Sequence, residues 1–116
     1  MDVTHIPFAK HIGIERKEEG TLKLEPTEVV QNHMQTIHAS AQFTLAETQS
    51  GLYLQKAFPS LENKVVALLR GSSVKYKNPA SSTLTAHASL EDTIREKFLT
   101  SIHKKSRASI TVMVEL

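Results

Sequence analysis

Glu47 is the residue whose type and position most directly indicate chemistry. It is the only formally charged side chain between Met34 and Gln55, within a run of small and apolar residues that is typical of a buried helix. Because burying an unpaired carboxylate costs several kcal/mol, such a group is usually protonated, paired or used in a reaction. No basic residue lies three or four positions from Glu47. The plain alternative is a carboxylate that reaches solvent.

The histidines near this run, His33 and His38, are poor candidates for a metal site. Their spacing of five residues does not suit two ligands on one helix, and no third ligand is evident. The chain has no cysteine, which excludes a disulfide, a thiolate zinc site and a cysteine nucleophile. We therefore expect neither a metal nor a bound cofactor.

The segment that carries Glu47 is predicted to be a central helix over residues 37–57. Phe58 and Pro59 end it, because proline cannot continue the helical hydrogen-bond ladder. Its side chains are mostly small, and the helix is nearly apolar all round. This predicts that other elements enclose it at close range. Gly51 costs about 1 kcal/mol of helix propensity, so close packing is expected there.

The rest of the chain predicts an α+β domain. A short helix or turn near residues 6–13 precedes a hairpin that turns at Gly20. Three strand-like stretches follow the central helix, and a short amphipathic helix with Ile94, Phe98 and Ile102 on one face separates the last two. The stretches are residues 64–77, 82–90 and 106–116. We expect one domain, residues 1–116, with a curved antiparallel sheet wrapped around the long helix.

Composition restricts the class of partner. Fourteen basic and twelve acidic residues leave a formal charge of +2, too weak to predict binding to nucleic acid. No apolar run approaches the roughly 20 residues of a membrane span, and the first residues lack the order of a signal peptide. A soluble, cytoplasmic protein is the expectation.

Two motifs together resemble a known family. Residues 32–48, with Asn32 six positions before His38 and Glu47 nine after it, are similar to the signature of hotdog-fold acyl-CoA thioesterases of the phenylacetate-pathway type. Residues 74–80 resemble that family's strand ending in Tyr-x-x-Pro-Ala. The order of elements agrees over nearly the whole chain. The resemblance implies a hotdog fold and an acyl-CoA or acyl-carrier thioester as substrate.

The resemblance also implies roles for particular residues. Glu47 would act as general base for water or attack the thioester directly, and the sequence does not separate these routes. The Ala39 N–H would face the thioester carbonyl, Asn32 would orient the water or the carboxylate, and His38 would shape the helix start. Asn32 could instead simply cap a turn. The expected substrate-binding residues are Thr48, Ser50, Ser72, Ser73, Lys75 and Lys77.

Two departures from the family pattern favour a second reading. Ala39 stands where the family usually has glycine, and Gly51 occupies a position where many members have a hydroxyl that supports the acid. A non-catalytic hotdog protein that binds acyl groups or acyl-CoA would fit these departures. A hotdog dehydratase or hydratase is a further alternative, but no motif for it is present. The lysines could also form an ordinary solvated strand edge.

Helix geometry predicts that the site is shared between two chains. Residues nine apart on a helix are separated by about 900 degrees of rotation and roughly 13 Å of rise, so His38 and Glu47 point to opposite sides. Two antiparallel helices across a dimer axis would bring Glu47 of one chain to Asn32, His38 and Ala39 of the other. The resemblance implies the same arrangement. We expect a homodimer, or a homotetramer built from two such dimers.

Overall fold

Three α-helices and five short strands form an α+β fold in the computed structural model, which describes residues 1–116. The helices are α1 (Pro7–Ile12), α2 (Ala39–Ala57) and α3 (Asp92–Lys105). The strands are β1 (Ile14–Glu18), β2 (Thr21–Leu24), β3 (Leu84–Thr85), β4 (His87–Ser89) and β5 (Met113–Glu115). Three single 3₁₀ turns lie at Val3–His5, Glu28–Val30 and Pro59–Leu61.

The N-terminal helix and hairpin confirm the sequence prediction. Gly13 ends α1 in the left-handed conformation, at φ +86°, and its N–H donates back to the last turn of the helix. β1 and β2 then pair antiparallel with Ile14 opposite Leu24, and Gly20 supplies the turn at φ +80°. β3 adds to the free edge of β2, which gives a three-stranded antiparallel sheet.

The long helix α2 is also confirmed, but its predicted enclosure on all sides is wrong. One face of α2 is buried and carries Ala41, Leu45, Thr48, Gln49 and Leu52. The opposite face remains partly or fully exposed, and Glu47 lies on it. The reason is that alanine, serine and glycine give a helix low polarity without supplying enough surface to require a second covering layer.

The strand predicted over residues 64–77 is wrong for the single chain. Residues 65–79 form no backbone–backbone hydrogen bond, and every residue from 62 to 79 is exposed. The apolar run 65–69 is continuous rather than alternating, so it does not fix a strand register by itself. The strands predicted over 82–90 and 106–116 are present only in part, as β3, β4 and β5.

The strands form two separate antiparallel sheets, one of β1, β2 and β3 and the other of β4 and β5. His87 pairs with Glu115 and Ser89 with Met113 in the smaller sheet. The observed architecture is therefore α+β with open antiparallel sheets beside a long helix. No helix is both long enough and apolar enough to cross a membrane.

A buried glutamine fixes α2 against the hairpin. Gln49, only 1% exposed, accepts a hydrogen bond from the Leu22 N–H and donates one to the Gly20 carbonyl, both at 2.8 Å. Leu22 and Leu45 are fully buried in the same apolar core. The predicted amphipathic helix is confirmed as α3, which lies outside this core and has no fully buried residue. The Gln49 hydrogen bonds and the apolar contacts thus fix the middle of α2 against the hairpin.

Candidate active site

The first turn of α2 contains one unpartnered N–H group. The His38 Nδ1 atom accepts from the Ser40 N–H at 3.0 Å, and the His38 carbonyl accepts from Ala41 and Gln42, both at 3.0 Å. These bonds cap the helix, as side chains at this position commonly do. The Ala39 N–H donates to no group within the chain. The Ala39 N–H is therefore a free donor at the positive end of the helix dipole.

A small cavity of about 240 Å³ opens at this position. It is bounded by the first turn of α2, by the loop that precedes α2, and by the end of residues 62–79, the exposed segment that follows α2. Its lining residues are Asn32, Met34, Thr36, Ile37, Ala39, Gln42, Tyr76, Lys77, Asn78 and Pro79. The structure thus brings Asn32, Ala39 and Lys77 together, three of the residues that the sequence indicated.

Asn32 organises the loop and retains one donor for a ligand. Its Oδ1 accepts from the N–H groups of Met34 at 2.9 Å and Thr36 at 3.1 Å. Its Nδ2 donates to the Thr36 hydroxyl at 2.8 Å. The side chain therefore does cap a turn, and these contacts use its acceptor. Because an amide nitrogen carries two protons, the second Nδ2 proton has no acceptor within the chain.

Tyr76 was not among the residues predicted to form the site. Its hydroxyl donates to the Ala39 carbonyl at 3.2 Å, and the ring lines the cavity. Four residues further on, the Ala80 carbonyl accepts from the Ile37 N–H at 2.7 Å. The Tyr-x-x-Pro-Ala motif could have indicated Tyr76 as a site residue. It places Tyr76 four residues before Ala80, whose carbonyl holds the end of the segment to the loop before α2.

Glu47 does not reach the cavity of its own chain. It is exposed, its carboxylate forms no hydrogen bond or ion pair, and it is absent from the lining. It follows Ala39 by eight residues, which corresponds to about 12 Å along the helix axis. The Glu47 carbonyl accepts from the Ser50 hydroxyl at 2.6 Å, so only the side chain is free. The carboxylate and the free N–H are thus held apart on one rigid helix.

The other predicted substrate-binding residues occupy different environments. Thr48 is buried, and its hydroxyl donates to the Thr44 carbonyl at 2.7 Å. Ser50 donates to Glu47, as described above. Ser72, Ser73 and Lys75 lie on the exposed segment after α2, outside the cavity lining. Their contacts with a substrate stay predictions.

The electrostatics of the cavity favour an anion. Lys77 is the one formally charged residue in its lining, and the start of α2 adds a positive partial charge. The acids with clearly shifted pKa values lie elsewhere. Hydrogen bonds from Thr4 lower the pKa of Asp2 to about 2, and a hydrogen bond from Lys56 lowers the pKa of Glu19. No group of three or more His, Asp or Glu side chains is placed to hold a metal ion.

Comparison with known proteins gives a family assignment without an activity. A family model for a domain of unknown function, DUF4442, matches residues 7–116, and the chain therefore belongs to that family. The matched region runs from the first residue of α1 to the C-terminal residue, so it contains every residue of the cavity lining. No curated protein matches the chain.

Proposed function

We propose that this protein is a hotdog-fold hydrolase that cleaves an acyl-CoA thioester into a free acid and coenzyme A. The observation that carries the proposal is the free N–H of Ala39, a residue that begins a 19-residue helix and belongs to the lining of a cavity. A donor at this place can stabilise the oxyanion that forms when a thioester carbonyl is attacked. The motifs around Asn32, His38 and Tyr76 support the same assignment.

The reaction needs a nucleophile on the other side of the carbonyl. In one route Glu47 removes a proton from water, and the hydroxide adds to the carbonyl carbon to give a tetrahedral intermediate. Collapse of that intermediate breaks the C–S bond and releases the thiolate of coenzyme A, which then takes up a proton. In the other route Glu47 attacks the carbonyl itself, and water hydrolyses the resulting mixed anhydride. No metal or redox cofactor is needed in either route.

A second copy of the chain would supply Glu47 to each cavity. The carboxylate is too far along its own helix to meet the Ala39 N–H, and its exposed position leaves it accessible to another subunit. The segment after α2 supports such an assembly. Val66 and Leu68 in this segment are 85% and 84% exposed, and the backbone groups of residues 65–79 form no backbone hydrogen bond in the chain. Exposed apolar strand-forming segments commonly pair with another chain. A homodimer, or a tetramer of two dimers, is the proposed active form.

The second candidate is a non-catalytic protein that binds acyl groups or acyl-CoA. The placement of Glu47 outside the cavity of its own chain favours it, because a binding protein needs the cavity and not the acid. The methyl group of Ala39 is also compatible with a site that only binds.

Release of free thiol separates the two candidates. The wild-type protein should release thiol from at least one of a panel of short, long and aromatic acyl-CoAs. Glu47→Gln should lower the rate by about a hundredfold or more, in line with the loss of a general base or nucleophile. Glu28→Gln is the matched control, because Glu28 is also exposed and forms no ion pair. Absence of thiol release by the wild type across the panel excludes the hydrolase.

A further inference from the structure

A basic cleft lies apart from the cavity at the start of α2. It has a volume of about 570 Å³ and is formed where the C-terminal end of α3 and the residues after it meet the exposed segment that follows α2. Its lining residues are Arg70, Ser101, Lys105, Arg107, Ala108 and Ser109. The lining thus contains three cations, two hydroxyls and no carboxylate.

The cations of this cleft are not neutralised within the chain. Arg16, Lys23 and Lys56 each form an ion pair with an acid, whereas Arg70, Lys105 and Arg107 form none. The charge is also unevenly distributed along the chain. Five basic and eight acidic residues precede residue 64, and nine basic and four acidic residues follow from there on. Unpaired like charges repel one another and attract a counter-ion, so the cleft favours an anionic ligand.

The donors around the cleft suit a tetrahedral anion. Arg70 donates from Nη1 to the Ser109 hydroxyl oxygen at 3.3 Å, which orients the guanidinium and leaves the hydroxyl proton free to donate. The backbone N–H groups of Arg107, Ala108 and Ser109 form no backbone hydrogen bond. Guanidinium groups bind phosphate oxygens in a bidentate manner, whereas lysine contributes a point charge.

We propose that this cleft binds the phosphate groups of a small phosphorylated ligand. Its volume falls within the range of roughly 300–1,000 Å³ that is common for small-molecule sites. Ala108 is the one apolar residue of the lining, so an apolar or neutral ligand would find few complementary contacts. Three cations match one or two phosphate groups, whereas a nucleic acid would require a longer basic track.

The proposal does not depend on thioester hydrolysis. A phosphorylated coenzyme and a free phosphate ion would use the same donors, and the experiment below distinguishes them. The assay of thiol release reports on Glu47 and the α2 cavity, so either proposal can fail while the other stands.

The test is a titration of the ¹⁵N-labelled full chain with sodium pyrophosphate, followed by amide chemical shifts in low salt. We expect saturable shifts at Ser101, Lys105 and residues 107–109. Arg70→Gln and Arg107→Gln should each weaken binding by about tenfold, as expected for loss of a hydrogen bond to a charged group. Lys104→Ala is the matched control, because Lys104 neighbours Lys105 on α3 but lies outside the lining, and it should change affinity less than about twofold.

Competition then identifies the source of the phosphate. If coenzyme A displaces pyrophosphate and pantetheine does not, the ligand is the phosphorylated coenzyme. If neither displaces it while pyrophosphate still binds at these residues, the ligand is a free or different phosphate compound. Circular dichroism of each variant confirms that it is folded.

Three results would overturn the proposal. The first is no saturable shift in the folded wild type at about 10 mM pyrophosphate, tenfold above a dissociation constant of about 1 mM, which corresponds to only about −4 kcal/mol. The second is equal weakening by Lys104→Ala and Arg107→Gln, which would indicate a diffuse charge effect. The third is tighter binding of a single-stranded oligonucleotide, with shifts that extend to Lys64, Lys75 and Lys77, which would indicate a nucleic-acid surface instead.

Discussion

The hydroxyl of Tyr76 donates a hydrogen bond to the carbonyl of Ala39 at 3.2 Å, and this contact joins the segment after α2 to the first turn of α2. The same alanine lines the cavity and carries an N–H without a partner in the chain. Since residues 65–79 have no backbone hydrogen bonds, this contact is one of the few that hold the segment to the chain. Tyr76 is thereby placed to control the shape of the proposed site.

Tyr76→Phe should lower the rate of thiol release by about fivefold, which corresponds to one hydrogen bond of roughly 1 kcal/mol. The thermal midpoint should change little, because Tyr76 is half exposed and lies outside the core. Steady-state assays and thermal unfolding check both expectations. Tyr53→Phe on α2 is the control, since Tyr53 forms no hydrogen bond through its hydroxyl. Equal rates for Tyr76→Phe and wild type would remove Tyr76 from the site.

Gln49→Leu should destabilise the fold by about 1–3 kcal/mol, because it leaves the buried Leu22 N–H and the Gly20 carbonyl without partners. Chemical denaturation measures the free energy of unfolding. Gln55→Leu, on the same helix but without a side-chain hydrogen bond, should change it by no more than about 0.5 kcal/mol. If both substitutions lower the free energy of unfolding by the same amount, the Gln49 hydrogen bonds do not stabilise the contact between α2 and the hairpin as the structure indicates.

Local signals were enough to predict the helices and the hairpin. Gly20 marked the turn, Pro59 marked the end of α2, and the spacing of Ile94, Phe98 and Ile102 marked α3. Each of these features acts within a few residues, so its structural consequence can be derived from sequence. The strand predicted over residues 64–77 was wrong for the single chain, because an apolar run does not determine which strand, or which chain, it pairs with.

The candidate site was predicted less completely than the helices. Motif spacing indicated Asn32 and Ala39, which the structure places around one cavity. The exposure of Glu47 matches only the plain alternative for this residue, because the low polarity of α2 favoured burial on every side. The buried position of Gln49 depends on where the hairpin crosses the helix, and no local pattern reports that crossing.

Thr83→Val should raise the pKa of Glu25 toward its ordinary value. The Thr83 hydroxyl donates to the Glu25 carboxylate at 2.6 Å and is the main cause of the lowered pKa, followed by Lys23. Because the folded pKa lies below the unfolded one, this contact stabilises the fold above the unfolded pKa and is lost as the pH falls through the folded pKa. Carbon-detected NMR titration gives the pKa. Ser82→Ala should leave it unchanged, and an unaltered value in Thr83→Val would contradict the assignment.

Mixing two inactive variants tests the shared site. Glu47→Gln and Ala39→Pro chains should each be inactive alone, and equal mixing with subunit exchange should restore about a quarter of the wild-type rate. Half of the dimers are then mixed, and each mixed dimer has one intact site out of two. Exchange is verified by mass spectrometry of differently labelled chains. No recovery after complete exchange would show that Glu47 and Ala39 do not serve the same site across an interface.

The central claim is that the Ala39 N–H stabilises the oxyanion of thioester hydrolysis. Ala39→Pro removes that donor while preserving the helix, because proline is favoured at the first helical position and His38 already has a compatible ψ of 140°. Ala39→Val adds similar bulk but keeps the N–H.

The most direct measurement is therefore the rate of thiol release from the best acyl-CoA substrate by wild type, Ala39→Pro and Ala39→Val. We predict a loss of about a hundredfold or more for Ala39→Pro, with Ala39→Val retaining activity within about tenfold of wild type. A folded Ala39→Pro variant that hydrolyses the thioester at the wild-type rate would contradict the account.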